Sequence, residues 1–222
     1  MELTLPEEVL LIALDDEKGH SSNSALDLGL AGGTLLELAR AEAVAVDVDE
    51  KVVPTGAAAP QDPLLRDALT VITDDGKARK PKHWVEKLPG KLRPLKDAVA
   101  SGLVDKGVLS EERSKVLGVF PRTRWPEADP APERHLRERL HAVLVQGAEP
   151  TEQEALLVGL LEPMDLVKHV VGKGDRKQAR QRAKAIKETG IAGDAVRKSV
   201  QAMQTAVMVA VIVPATVTAG GN

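Results

Sequence analysis

The sequence predicts a mostly α-helical fold: one globular helical domain over residues 1–222, with short β-hairpins, one of which projects. Only three residues are aromatic, Trp84, Phe120 and Trp125. The core must therefore be built from Leu, Val, Ile and Ala, which favours helices packed on helices. Apolar residues also recur at helical spacing along the chain, and a chain of 222 residues can bury a sizeable core.

Capping signals and apolar periodicity set the predicted helices. Thr4 and Glu7 have the spacing of a capping box, as have Thr151 and Glu154. The first helix is expected to end at the polar turn 15–19. Further helices are predicted, in chain order, over residues 23–41, 63–72, 83–88, 92–109, 133–145, 151–161, 173–187 and 194–213.

Glycine and proline mark breaks or close contacts within this pattern. Three glycines inside the helix at 23–41 predict close helix packing or a break, because each costs roughly 1 kcal/mol relative to Ala. Pro89, followed by Gly, is expected to end the helix at 83–88. Pro94 fits only a first turn, so the next helix is expected to begin at Arg93 or Pro94.

Two segments interrupt the helices and are predicted to form β-hairpins. Residues 44–53 contain two Val-rich runs around an acidic pair that suits a turn. In the second segment, residues 116–120 and Trp125 flank 121–124, which is interpreted as the turn.

No catalytic, metal or cofactor site is predicted. The chain has no cysteine, which excludes disulfides and thiolate metal sites. Its five histidines lack metal-ligand spacing, and its adjacent acids occur at caps and turns, where acids are common for structural reasons. The sequence contains no Gly-x-Ser-x-Gly elbow and no glycine loop that follows a strand. These observations argue against an enzyme.

Charge and hydropathy limit the classes of partner. The formal net charge is −3, which excludes a globally basic nucleic-acid binder but not a local basic patch. The amino terminus carries acids where a signal peptide would carry cations. The most apolar run, 206–215, is too short to span a bilayer and is predicted to be a central buried helix. We therefore expect a cytoplasmic protein whose membrane contact, if it has any, is peripheral.

The run 92–109 is the strongest candidate for a binding site. At helical spacing it forms an apolar stripe, and Arg93 and Lys96 lie together on the flank of that stripe. Backbone N–H groups at a helix start attract phosphate, so the two cations are candidates for contacts with an anionic ligand. The alternative is a solvated pair of cations beside an ordinary helix cap, and residue types alone favour that alternative.

Phe120 and Trp125, with Arg122 and Arg124 between them, form a second candidate site. Apolar rings with interleaved arginines suit a lipid interface, where the rings enter the membrane and the cations meet head groups. They suit a self-association surface equally well. A small local core under a loop is the structural alternative.

The helix at 173–187 is rich in cations. Taken together, these cations spread around several helical faces, so a solvated helix is favoured over a nucleic-acid groove. The residues concerned are Lys173, Arg176, Lys177, Arg180, Arg182, Lys184 and Lys187.

Four motifs follow one another along most of the chain. They are LTLPEEVLL at 3–11, GLAGGTLLELA at 29–39, Trp84-Val85-Glu86, and Leu92-Arg93 with GLVDKGVL at 102–109. In this order they resemble the Golgi phosphoprotein 3 family, and the short amino terminus is similar to that of bacterial-type members. The resemblance implies a mostly helical single domain with a projecting hairpin, and peripheral membrane binding through a phosphatidylinositol 4-phosphate pocket.

The resemblance also implies roles for particular positions. The family's pocket uses a tryptophan, an arginine and two basic residues, and the two basic positions match Arg93 and Lys96. The arginine position falls at Ala31 and the tryptophan position near Ser22, so half of the pocket is absent. The family's hairpin corresponds to 116–126, which gives the ring and arginine candidates of that segment a membrane-facing role.

Three hypotheses follow. The first is a non-enzymatic peripheral membrane protein that contacts anionic phospholipid head groups through Arg93 and Lys96 and needs no cofactor. The second is a helical module that forms homo-oligomers through the hairpin without a lipid ligand. The third, a winged-helix-like DNA binder, is disfavoured because the helix at 23–41 carries Arg40 as its only Lys or Arg. Nucleic acid is therefore not an expected partner.

Overall fold

A computed structural model describes residues 2–14, 21, 23–92, 94–116, 120–189 and 194–217. Its helices are, in chain order, α1 (Leu5–Ala13), α2 (Leu26–Arg40), α3 (Pro63–Asp74), α4 (Pro81–Lys91), α5 (Leu95–Asp105), α6 (Ala131–Leu144), α7 (Glu152–Leu161), α8 (Val167–Val170), α9 (Arg176–Thr189) and α10 (Asp194–Val217). Its strands form two antiparallel hairpins, β1 (Val44–Val46) with β2 (Val52–Pro54) and β3 (Glu112–Val116) with β4 (Phe120–Arg124). The predicted mostly α-helical fold with short β-hairpins is confirmed.

Helix α1 lies at the centre of the fold, and all of its residues are buried. It packs against α2, α5, α6, α7 and α8. The predicted capping box at its start is present, since the backbone N–H of Thr4 donates to the Glu7 carboxylate at 2.8 Å. The buried apolar residues of the described chain form one contiguous core around this helix.

The glycines of α2 allow close approach of neighbouring helices and do not break the helix. A Cβ at Gly33 would lie 3.1 Å from the backbone nitrogen of Pro6 in α1. A Cβ at Gly32 would lie 2.1 Å from a methyl group of Val207 in α10. Within residues 206–210 of α10 burial is one-sided, because Val207 is fully buried whereas Val209 is 39% exposed. This part of the apolar run is thus helical, as predicted, but not wholly buried.

Two helical predictions need correction. Helix α4 does not end before Pro89 but continues to Lys91. Pro89 lies in the last turn, where its missing N–H removes a single hydrogen bond, while the buried side chains of Trp84 and Leu88 hold the helix against the core. The short helix α8 was not predicted, because four residues give no apolar periodicity to detect.

The first hairpin is confirmed with shorter strands, and the second is shifted along the chain. The register of β3 and β4 pairs Glu112 with Arg124 and Val116 with Phe120. Residues 121–124, interpreted from the sequence as the turn, are therefore strand residues, and that interpretation was wrong. The β3–β4 hairpin packs mainly on itself and makes few contacts with the helices, so the predicted projection is confirmed.

Candidate functional site

The start of α5 is fixed by its buried side. Leu95, Val99 and Leu103 are each at most 2% exposed, and α5 packs on α1, α2 and α4. This confirms the predicted apolar stripe. Pro94 occupies the N-cap position with an extended backbone, so the helix begins one residue after the predicted boundary.

The connection from α4 to α5 carries cations without acidic partners. Lys91 is exposed and Lys96 is partly exposed. Within the described part of the chain, neither forms a hydrogen bond or an ion pair. Arg93, the third cation between residues 91 and 96, lies outside the described residues. The basic segment 91–96 itself contains no acid, and the acid that follows it directly is Asp97, in the first turn of α5.

A nearby lysine shows the opposite arrangement. Lys87 lies over the Trp84 ring, with its Nζ 5.2 Å from the ring centroid, and forms an ion pair with Asp75. The hydrogen bond from Lys87 holds the pKa of Asp75 below its ordinary value. Trp84 and Val85 are fully buried, so these two residues of the Trp84-Val85-Glu86 motif contribute to packing, whereas Glu86 is exposed.

The remaining pocket positions supply no further cation among the described residues. Ala31, at the family's arginine position, is fully buried in α2 and presents only a methyl group. Ser22, near the family's tryptophan position, lies outside the described residues. The candidate head-group site therefore consists of the basic segment 91–96, of which Lys91 and Lys96 are the described cations.

Trp125 is placed differently from the prediction. It follows β4 directly, is 4% exposed, and belongs to the core. The chain closes at the base of the hairpin, where the N–H of Ser110 donates to the Pro126 carbonyl at 2.9 Å. The prediction that Trp125 faces a membrane is therefore wrong.

The membrane-facing role of the other hairpin candidates, Phe120, Arg122 and Arg124, remains a prediction. The side chains of Phe120 and Arg122 lie outside the described part of the structure, although their backbones pair in the strands. Arg124 is partly buried, and its Nε has no hydrogen-bond partner in the described chain.

A buried polar network beside α1 was missed from the sequence. Glu8 is 3% exposed and accepts hydrogen bonds from Arg139 at 3.0 Å and from Gln153 at 2.9 Å. Gln153 in turn accepts from Arg40, which also pairs with Glu37. Burial raises the pKa of Glu8, and the hydrogen bonds from Gln153 and Arg139 oppose it. Burial also raises the pKa of Glu37, where a hydrogen bond from the backbone N–H of Leu5 and the charge of Arg40 oppose it. The adjacent acids Glu7-Glu8 gave the only signal, and it resembled an ordinary helix cap.

The cations of α9 are not spread around the helix as predicted. A shallow depression of about 430 Å³ on the outer side of α9 is lined by Lys173, Gly174, Arg176, Lys177, Arg180, Gln181 and Lys184. We call these residues the α9 surface. Arg182 points elsewhere and pairs with Glu149 at 3.4 Å, and the side chain of Lys187 lies outside the described part. The interpretation of several cationic faces was wrong, because four cations of α9 share one face and Lys173, which precedes the helix, lines the same depression.

No helix in the described ranges is long and apolar enough to cross a membrane. Residues 5–203 match the family model described as Golgi phosphoprotein 3. Vacuolar protein sorting-associated protein 74 of Eremothecium gossypii is 32% identical over 173 residues, a match that covers 64% of this chain and 49% of that protein. The chain thus spans about half the length of this curated relative.

Proposed function

Because the chain belongs to the Golgi phosphoprotein 3 family, we propose that it is a non-enzymatic peripheral membrane protein that binds anionic phospholipid head groups on the cytoplasmic face. The observation that carries this proposal is the basic segment 91–96. Lys91 and Lys96 have no partner among the described residues, and Arg93 lies between them in the sequence.

The start of α5 adds a second attraction for phosphate. Lys96 lies in the first turn of this helix, where backbone N–H groups lack intrahelical acceptors and the helix dipole favours an anion. A cation near an anionic membrane contributes about 1 kcal/mol. Three such cations would contribute about 3 kcal/mol, or on the order of a hundredfold in affinity.

Selectivity among acidic lipids is expected to be low. The family's pocket for phosphatidylinositol 4-phosphate includes an arginine where this chain has the buried Ala31. With that cation absent, Arg93 and Lys96 would respond to phosphate charge more than to the position of a phosphate on a sugar ring. The projecting β3–β4 hairpin would add an apolar contact through Phe120.

Flotation with liposomes tests this proposal. We expect the protein to float with vesicles that contain phosphatidylserine and not with neutral phosphatidylcholine vesicles. Arg93→Glu/Lys96→Glu should abolish flotation, whereas the matched control Lys77→Glu/Lys82→Glu, with the same change in net charge, should float like the parent. If the Arg93/Lys96 variant floats as well as the parent, the basic segment is not the lipid site.

Self-association through the hairpin is a second candidate function. Both β3 and β4 are edge strands of a two-stranded sheet that projects from the helices, and unpaired strand edges are templates for another chain. Sedimentation of Phe120→Ala tests this alternative without disturbing the buried Trp125. Dissociation of an oligomer without loss of flotation would favour self-association over lipid binding.

A further inference from the structure

The α9 surface concentrates positive charge on one side of a helix. Four cations of this helix lie on one helical face, because they are either adjacent or three to four residues apart. They are Arg176, Lys177, Arg180 and Lys184. Lys173 joins them from the preceding loop, and all five side chains line the same depression. Between residues 168 and 184 the chain has seven Lys or Arg residues, and Asp175 is the only acid.

Most of this charge is not neutralised within the described chain. Lys173, Lys177 and Lys184 are exposed and form no hydrogen bond or ion pair with described residues. Arg180 pairs with Asp165. The Nε of Arg176 is buried without a hydrogen-bond partner in the described structure. Arg176, like the three lysines, forms no ion pair with a described residue, so the charge of four of the five cations is not neutralised within the described chain.

The opposite side of α9 is already occupied. Ala179, Ala183 and Ile186 are at most 3% exposed, and α9 packs on α6, α7 and α8. A membrane-bound amphipathic helix inserts its apolar face into the lipid, and the apolar face of α9 is not free to do so. The surface that remains is polar and cationic, which suits a partner bound by charge alone.

We propose that the α9 surface binds nucleic acid through its phosphate backbone, without reading the bases. Charge contacts to phosphates supply essentially all of the affinity in binding of this kind. From Arg176 to Lys184 the helix rises about 12 Å. A duplex rises about 3.4 Å per base pair along its axis, so the row of cations matches the axial length of about three to four base pairs.

This inference goes beyond the proposed lipid site and is carried by a different part of the molecule. Helix α9 packs on α6, α7 and α8, whereas α5 packs on α1, α2 and α4. It also revises the expectation from the sequence that nucleic acid is not a partner. That expectation depended on cations scattered around several faces, which the α9 surface contradicts.

Fluorescence anisotropy tests the proposal. A labelled duplex of about 20 base pairs is titrated with the full chain at about 50 to 200 mM salt. Four phosphate contacts predict a slope of about −3.6 in log affinity against log salt, or on the order of a hundredfold weakening over this range. Lys173→Gln/Lys177→Gln/Lys184→Gln removes three contacts and should reduce the slope to about −0.9. Lys177→Gln alone should reduce it by about 0.9, which keeps the test valid if the triple variant misfolds.

Matched variants separate this proposal from the lipid proposal. Lys77→Gln/Lys80→Gln/Lys82→Gln has the same change in net charge and should keep the parent's slope. Arg93→Glu/Lys96→Glu should still bind the duplex even if it no longer floats with vesicles. The inference is overturned if the parent does not bind the duplex at the lowest salt, or if the triple α9 variant keeps the parent's slope. It is also overturned if that variant loses vesicle flotation while duplex binding is unchanged.

Discussion

Replacing Trp125 by Ala tests whether this ring supports the fold or a membrane contact. Trp125 is 4% exposed and lies at the base of the β3–β4 hairpin. A buried tryptophan removes on the order of 200 Å² from water, which corresponds to about 5 kcal/mol at about 25 cal/mol per Å². Measured Trp→Ala changes in cores cost about 3–5 kcal/mol. We expect Trp125→Ala to lower the free energy of unfolding by a similar amount.

Urea and thermal unfolding, followed by circular dichroism, measure this change. For a chain of this length about 1 kcal/mol shifts Tm by about 2–4 °C, so Tm should fall by about 6–20 °C. Val48→Ala is the control, because Val48 is 92% exposed and its replacement should change stability by less than about 0.5 kcal/mol. A loss below about 1 kcal/mol for Trp125→Ala would contradict the core position of the ring.

Fluorescence separates the two roles directly. The chain has two tryptophans, so Trp84→Phe leaves Trp125 as the only strong emitter. A ring that is already buried should show the same emission maximum before and after acidic vesicles are added. A shift to shorter wavelength on vesicle binding would instead place Trp125 in the membrane.

Two further predictions concern the core around α1 and α2. Burial raises the pKa of Glu8 above its ordinary value of 4.5, so the folded state binds a proton more tightly than the unfolded state, and stability is lost as pH rises through the folded pKa. The urea midpoint of Glu8→Gln minus that of the parent should therefore increase as pH rises from 4.5. A decrease of this difference would contradict the burial effect. Gly32→Ala should cost about 1–3 kcal/mol through overpacking, because its Cβ would lie 2.1 Å from Val207. Denaturant unfolding of Gly32→Ala/Val207→Ala should show a loss smaller than the sum of the single losses, and additivity would exclude the clash.

The sequence predicted correctly those parts of the fold that depend only on residues a few positions apart in the chain. The capping boxes at Thr4 and Thr151 require only a hydroxyl and a glutamate three residues later, and both form. The apolar stripe of α5 depends on helical spacing alone, and its members are buried as expected. Local chemistry of this kind does not depend on which other element packs nearby.

The parts that were not predicted depend on residues distant in the sequence. The second hairpin was misplaced because strands rich in Arg, Lys and Pro have no apolar alternation to mark their register. Trp125 is buried at the base of that hairpin, where the chain closes through the hydrogen bond between Ser110 and Pro126. Arg182, on another side of α9, pairs with Glu149, 33 residues away. No window of local sequence contains these partners.

The net charge of −3 therefore says little about how this molecule meets an anionic partner. Charges separated by more than about 10 Å are largely screened at about 0.1 M salt, so a partner responds to the surface that it touches and not to the sum over the chain. The basic segment 91–96 and the α9 surface are both cationic, and they are carried by helices that pack on different neighbours. Acids elsewhere in the chain lower the net charge, and among the cations of the α9 surface Arg180 pairs with such an acid, Asp165. On this reasoning each surface acts on its own, and the low net charge limits non-specific attraction to the rest of the molecule.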